Sequence, residues 1–182
     1  WDNSGLQVGD RNAEVHAALL TIDVTESVVD EAINKRCDLI ISHHPLLFHG
    51  LKHLTGETPQ ERCVEKAIRH NIAIYSSHTA MDAYIHGVSG KIADKLGINH
   101  YQILCPTTEQ NIGLGVIGTL NNPMNSDDFI RFVQDVFDCS LRYIEPPAKL
   151  ITTVAICGGA GAEFIEHAIA QKADIFITAD MK

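Results

Sequence analysis

Three short apolar segments alternate with helical segments in the first half of the chain, and this alternation most restricts the fold. The apolar segments are residues 15–22, 38–42 and 72–76. Helices are predicted between and after them at residues 25–36, 58–70 and 89–96, with Thr25 and Pro59 as start signals. This order predicts an open parallel sheet with right-handed crossovers. The apolar character of residues 15–22 predicts a strand covered on both faces.

The second part of the chain follows a break at residues 105–110. Strands are predicted at residues 113–120, 140–144, 151–156 and 174–178, and helices at 127–137 and 161–172. We therefore expect an α/β fold of two lobes with mostly parallel sheets, the first formed by residues 1–106 and the second by residues 107–182. Trp1 stands within a turn-forming stretch and Lys182 directly follows an apolar strand, so we expect the chain to be incomplete at both ends.

Composition excludes several classes of protein. The net charge of -9 argues against direct nucleic-acid binding, which requires basic surface. No apolar run is long enough to predict a membrane span. Five scattered cysteines without a CxxC pair favour a reducing, cytoplasmic location over a disulfide framework, and Cys157 is interpreted as a buried structural thiol.

Histidine is the unusual component. Eight of the ten histidines fall between residues 43 and 100, where even spreading would place about three. Since neutral imidazole is the commonest metal ligand in proteins, this clustering indicates a metal site.

The strongest motif is Ser42-His43-His44-Pro45, directly after a predicted buried strand. In open α/β sheets, ligands bind beyond the carboxyl ends of the strands. His43 and His44 could serve two neighbouring metals, or one could be a ligand and the other its support. The alternative is a pair of ordinary surface histidines.

His78 and Asp82 follow the next predicted strand, so their loop should converge with the first one if the two strands are neighbours. Imidazole and carboxylate together suit Zn, Mn, Fe, Ni or Co better than Ca. The alternative for Asp82 is a helix or turn cap. The further carboxylate that a two-metal hydrolytic centre usually needs is expected in sequence after Lys182.

Two weaker features remain. The amides of Gly159 and Gly161, between a strand and a helix, could bind an anion, and an equally good alternative is a tight turn that lets the two elements pack closely. His49 and His53, in the loop after the histidine pair, could contact a substrate.

Five motifs in order resemble the Nif-three-like dinuclear metal-binding family, whose members are often labelled GTP cyclohydrolase I type 2 homologues. The motifs are Trp1-Asp2-Asn3-Ser4-Gly5-Leu6, Ser42-His43-His44-Pro45-Leu46-Leu47-Phe48, His78-Thr79-Ala80-Met81-Asp82, Cys157-Gly158-Gly159-Ala160-Gly161 and Thr178-Ala179-Asp180-Met181-Lys182. The last departs from the family pattern, which usually has glycine where Ala179 stands.

The resemblance implies two similar, interlinked α/β lobes, a homohexameric ring and two divalent ions per complete subunit. By the same resemblance, His43 and His44 match ligands of different ions and Asp82 matches a ligand of the ion that His44 binds. His78 is assigned an auxiliary role. A later histidine and a bridging glutamate complete the family's site, and this sequence stops before them.

The resemblance implies a metal-dependent hydrolase that acts on a nucleotide or related heterocycle, as in hydrolytic opening of the guanine imidazole ring of GTP. The alternative is a non-catalytic metal-binding adaptor or regulatory protein that acts through protein partners. A weaker third hypothesis is a regulatory sensor that binds an anion at Gly158–Gly161.

Overall fold

The computed structural model describes residues 2–107, 111–144 and 150–181. Trp1 of the first motif, residues 108–110 of the predicted break and Lys182 of the last motif lie outside the described residues. The chain is an α/β protein with two four-stranded sheets, so the predicted class is confirmed. It separates into two compact units, Trp1–Met81 and Asp82–Lys182, and this division falls earlier than the expected one near residue 106.

The first unit is built around a sheet whose strand order is β1-β4-β3-β2. Its elements are β1 (Gly5–Val8), β2 (Ala18–Thr21), α1 (Glu26–Asn34), β3 (Leu39–Ser42), α2 (Pro59–Arg69), β4 (Ala73–Ser76) and the short α3 (His78–Asp82), which ends at the first residue of the second unit. Strands β2, β3 and β4 are parallel, as predicted, and β1 pairs antiparallel with β4. Strand β1 is not evident from the sequence, because the residues before it indicate only a turn.

The two longer helices of this unit begin at side-chain caps. Thr25 Oγ1 accepts the amide proton of Val28 at 3.3 Å, and Thr58 Oγ1 accepts that of Glu61 at 3.2 Å. Each cap satisfies an amide that the first helical turn leaves without a partner. Threonine caps, together with Pro59 in the first turn of α2, explain why the sequence located both helix starts correctly.

Helices α1 and α2 contact the strands of this sheet and enclose its core. The core includes the fully buried residues Val29, Ala32, Ile40, Ala67 and Ile74. Strand β2 is not buried on both faces, contrary to the prediction, because Leu20 is 74% exposed. An apolar segment predicts a β-strand, but it does not predict whether both faces of that strand are buried. Burial of each face depends on which other elements pack against it.

The second unit has the strand order β5-β6-β7-β8. Its elements are α4 (Val88–Lys95), β5 (Ile98–Pro106), β6 (Gly113–Asn125), α5 (Ser126–Phe137), β7 (Leu150–Ala160), a 3₁₀ turn (Ala162–Phe164), α6 (Ile165–Ala170) and β8 (Ile175–Asp180). Because β5 pairs with β6 and α4 contacts β5, β6 and β7, the chain before residue 106 already belongs to this unit.

The prediction of mostly parallel sheets is wrong for this unit. Strand β6 pairs antiparallel with both β5 and β7, and only the pairing of β7 with β8 is parallel. For β5 and β6 the reason is the short connection between them, which cannot hold the crossover that parallel neighbours need.

Two further element predictions differ from the structure. Residues 140–144, predicted as a strand, have no regular structure, and Ile144 is 94% exposed. Within the part of the chain that the structure describes, no strand pairs with this segment. The predicted helix 161–172 is divided into the 3₁₀ turn and the six-residue α6. Among the described residues, no helix is both long and apolar enough to cross a membrane.

Candidate functional site

The carboxyl ends of β3 and β4 carry the histidines singled out by sequence. The parallel pairing continues beyond the strands, since His43 donates its amide proton to Thr21 O at 3.1 Å and His78 donates to His43 O at 3.0 Å. His44 donates to Ile22 O at 2.9 Å. The backbone ladder therefore fixes where each of the three imidazoles leaves the sheet.

Two buried serines lock this edge further. The Ser42 hydroxyl donates to His44 O and the Ser76 hydroxyl donates to His43 O, both at 2.8 Å. Both serines are at most 1% exposed. A buried hydroxyl needs a partner, and here that partner is the backbone of the histidine pair. The role of these serines is not evident from the sequence, although both stand at strand ends.

The three imidazole rings lie together in the first unit. The ring centroids of His43 and His44 are 4.9 Å apart, those of His43 and His78 are 5.7 Å apart, and those of His44 and His78 are 6.0 Å apart. The expected convergence of the two loops is therefore present, because β3 and β4 are neighbours in the sheet. We refer to His43, His44 and His78 as the histidine cluster.

A carboxylate orients His44. Asp23 Oδ1 lies 2.8 Å from His44 Nδ1 at the surface, where both side chains are more than half exposed. A carboxylate at Nδ1 favours the tautomer with its proton there, which leaves Nε2 as the basic nitrogen. Asp23 was missed by sequence, although its position just after β2 places it at the same sheet edge.

A second carboxylate, Asp2, contacts His78 Nδ1 through Oδ1 and is largely buried. Asp2 Oδ2 accepts hydrogen bonds from the hydroxyls of Ser4 at 2.6 Å and Thr79. Burial raises the pKa of Asp2, but the hydrogen bonds from Ser4, Thr79 and His78 outweigh it and hold the pKa well below its ordinary value. Asp2 is therefore an anion that positions His78, a role that its turn-like sequence did not reveal.

The donor chemistry fits a metal only in part. Two imidazoles with carboxylates on Nδ1 match the usual arrangement of metal-binding histidines, whose Nε2 faces the ion. However, among residues 2–107, 111–144 and 150–181, no group of three or more His, Cys, Asp or Glu side chains is placed to hold an ion. Asp82, the remaining predicted ligand, is the last residue of α3, four positions after His78.

A pocket of about 460 Å³ adjoins His44. It lies where α1 and α2 begin, and its lining includes Asp23, Thr25, His44, Gln60 and Cys63. Burial raises the pKa of the Cys63 thiol, so this side chain contributes a neutral wall. A cavity of this size can admit a small organic ligand.

The glycine segment belongs to the second unit, where Gly159 lies near the end of β7 and Gly161 directly precedes the 3₁₀ turn. A Cβ on Gly161 would lie 2.6 Å from Thr178 Oγ1, so close packing requires glycine there. Thr178 Oγ1 also donates to Gly159 O at 2.9 Å. These contacts support the tight-turn alternative, and anion binding by Gly159 and Gly161 stays a prediction.

The remaining residues named from the sequence are two surface histidines and one buried cysteine. His49 and His53 are exposed, and the His49 ring packs beside Phe48 at 5.1 Å. Cys157 is buried, as predicted, and burial, followed by the charge of Asp82, raises its pKa to about 11. That thiol is therefore protonated at neutral pH.

These features define an α/β protein whose first sheet ends in a carboxylate-supported histidine cluster. The Duf34/NIF3 (NGG1p interacting factor 3) family model matches residues 1–182, and the chain belongs to this family. This confirms the family resemblance inferred from the five motifs.

Three relatives illustrate the match. The Clostridium acetobutylicum protein named GTP cyclohydrolase 1 type 2 homolog is 36% identical over 183 residues, covering 99% of this chain and 68% of that protein. Its Streptococcus pneumoniae namesake is 36% identical over 185 residues, covering 99% and 69%. The crystal structure of Staphylococcus aureus protein SA1388 superposes with a TM-score of 0.90 at 29% identity, covering 100% of this chain and 73% of that one.

Proposed function

We propose that this protein holds a dinuclear divalent-metal site through His43, His44 and Asp82 and hydrolyses a nucleotide or a related heterocyclic substrate. Zn, Mn, Fe, Ni and Co are the candidate ions for this mixed nitrogen and oxygen set. The observation that carries the proposal is the histidine cluster at the carboxyl ends of β3 and β4, with Asp23 on His44 Nδ1.

The chain's own residues have separate tasks in this proposal. Asp23 contacts Nδ1 of His44, so Nε2 of that ring stays basic and faces away from Asp23. The anionic Asp2 has the same effect on the auxiliary His78. Ser42 and Ser76 hold the backbone of His43 and His44 in place. Little conformational entropy is therefore lost when an ion binds. A bound divalent ion would supply Lewis acidity and lower the pKa of water.

The pocket beside His44 supports a small-molecule substrate. Its lining is mixed and includes the hydroxyl of Thr25 and the amide of Gln60, which can recognise a heterocycle by hydrogen bonds. The relatives named GTP cyclohydrolase 1 type 2 homolog support a purine nucleotide as the first substrate to test.

A second candidate function is that of a metal-binding adaptor without catalysis. The family description, NGG1p interacting factor 3, names a protein defined by its partner. A homohexamer and a cytoplasmic location are further parts of the proposal that rest on the family resemblance and on cysteine usage.

The deciding experiment compares the wild type with the variant His43→Ala/His44→Ala. Metal content after dialysis is measured by elemental analysis, and turnover is measured with GTP and a nucleotide panel in Mn, Fe or Zn. We expect the variant to lose bound metal and turnover together. His70→Ala/His86→Ala is the matched control, because both of these histidines are exposed and lie outside the cluster.

The outcomes separate the two candidates. Metal bound by the wild type without turnover of any nucleotide would favour the adaptor, and a partner captured equally well by wild type and variant would place recognition away from the cluster. If wild type and variant retain the same metal, the ligand assignment is wrong.

A further inference from the structure

A thiol and an imidazole that the proposed hydrolase does not use meet in the second unit. Cys105 lies on β5, an edge strand of the sheet, and its Sγ is 3.5 Å from Nε2 of His167 on α6. Cys105 is partly exposed and His167 is exposed, so small solutes can reach the pair. This places a nucleophile and a base within reach of each other.

The pair is held in place by its surroundings. Gln171, one turn after His167, donates from Nε2 to Leu104 O at 2.6 Å, which ties the end of α6 to the residue before Cys105. The Phe164 ring lies 6.0 Å from the His167 ring. Since Leu104 and Phe164 are both buried, the two side chains approach each other from anchored backbones.

The other four cysteines provide an internal comparison. Cys37, Cys63 and Cys157 are buried, and burial raises the pKa of Cys63 and Cys157. Cys139 is exposed after the end of α5. Cys105 thus combines access with a neighbouring imidazole, which are the two conditions that make a thiol reactive.

We propose that Cys105 is an oxidation site for hydroperoxides and that His167 is its base. The Sγ proton passes to His167 Nε2, and the thiolate attacks the terminal peroxide oxygen. An S–O bond forms while the O–O bond breaks, so sulfur loses two electrons and the peroxide gains two. The departing oxyanion takes the proton from His167 and leaves as water or an alcohol, and Cys105 becomes a sulfenic acid.

The test uses the full chain, hydrogen peroxide as the probe and dimedone as the trap for sulfenic acid, with peptide mass spectrometry as the readout. We expect Cys105 to be labelled about tenfold faster than Cys139. His167→Gln should bring Cys105 to within about twofold of Cys139, because the base is lost. His86→Gln is the matched control, since this exposed histidine pairs with Tyr101 instead and should leave the ratio unchanged.

Two safeguards keep the result decisive. Cys105→Ser must remove the label from its peptide, and His167→Asn must reproduce the loss seen with His167→Gln, with folding of each variant checked by circular dichroism. Labelling of Cys105 no faster than that of Cys139 overturns the proposal. An unchanged Cys105 rate in the folded His167 variants overturns it equally.

Discussion

The two units use their sheets differently. In the first unit β2, β3 and β4 run parallel, so their carboxyl ends meet at one edge and bring Asp23, His43, His44 and His78 together. In the second unit β6 runs against both neighbours, so consecutive strand ends lie at opposite edges. In its glycine segment, Gly161 packs closely against Thr178 and Cys157, and the Cys157 thiol within β7 is buried. Parallel pairing therefore brings polar side chains from several strand ends to one edge of the first sheet. Antiparallel pairing in the second unit mainly contributes buried core residues.

The largest expected effect tests whether the two cores are separate. Ile40 and Ile156 are both fully buried, in the first and second unit respectively. We expect Ile40→Ala or Ile156→Ala to lower the free energy of unfolding by about 2–5 kcal/mol. Hydrogen exchange should rise mainly in the unit that carries the substitution. Ile68→Ala, at a half-exposed position on α2, is the control, and an equal rise in both units would refute the separation.

The next effect concerns the glycine segment of the second unit. Gly161→Ala would place a Cβ 2.6 Å from Thr178 Oγ1 and 2.9 Å from Cys157 Cβ. We expect a loss of about 1–3 kcal/mol in denaturant unfolding, because the surrounding core must shift. Gly50→Ala in the first unit is the matched control, since a Cβ added there would meet nothing within 4 Å. A neutral Gly161→Ala would remove the close-packing interpretation and favour the anion site.

A smaller loss of stability is expected from substitutions at the helix N-caps, and it should differ between α2 and α5. Thr58 caps α2 through its hydroxyl, whereas the side chain of Asn125, which precedes α5, makes no cap hydrogen bond. Thr58→Ala should cost about 1 kcal/mol, and Asn125→Ala only a few tenths. Thr58→Ser, which keeps the hydroxyl, should restore most of the loss. Equal costs for Thr58→Ala and Asn125→Ala, measured by urea unfolding, would contradict this contrast.

The smallest effect is a pH dependence at the start of α2. The backbone amide of Thr55, with further hydrogen bonds and against the effect of burial, lowers the pKa of Glu61 from 4.5 to about 2. Its contribution to stability is therefore complete above about pH 4.5 and is lost as pH falls towards 2. In Glu61→Gln, the free energy of unfolding should fall less steeply as pH is lowered below about 4.5. Glu65→Gln on the same helix should leave this acid limb unchanged. An unchanged acid limb in Glu61→Gln would show that this carboxylate is not linked to folding.

The sequence predicted the first unit better than the second. Periodicity and caps located α1 and α2 within a few residues, and apolar segments located β2, β3 and β4. The second sheet was misjudged because strand direction depends on pairing between distant segments, as for β6 with β5 and β7. The exposed Ile144 illustrates the same point, since an apolar residue in a short polar-apolar alternation does not create a partner strand.

The candidate site divides in the same way. By itself, the sequence determined which side chains stand at the strand ends, because His43, His44 and His78 follow buried apolar segments directly. Only the tertiary structure decided that Asp2 and Asp23 serve as their carboxylate partners and that Cys105 meets His167, which are separated by 62 residues in the chain. Strand ends are local features that nearby residues encode. Contacts across a sheet arise when hydrogen bonding and packing bring distant segments together, so local patterns carry little trace of them.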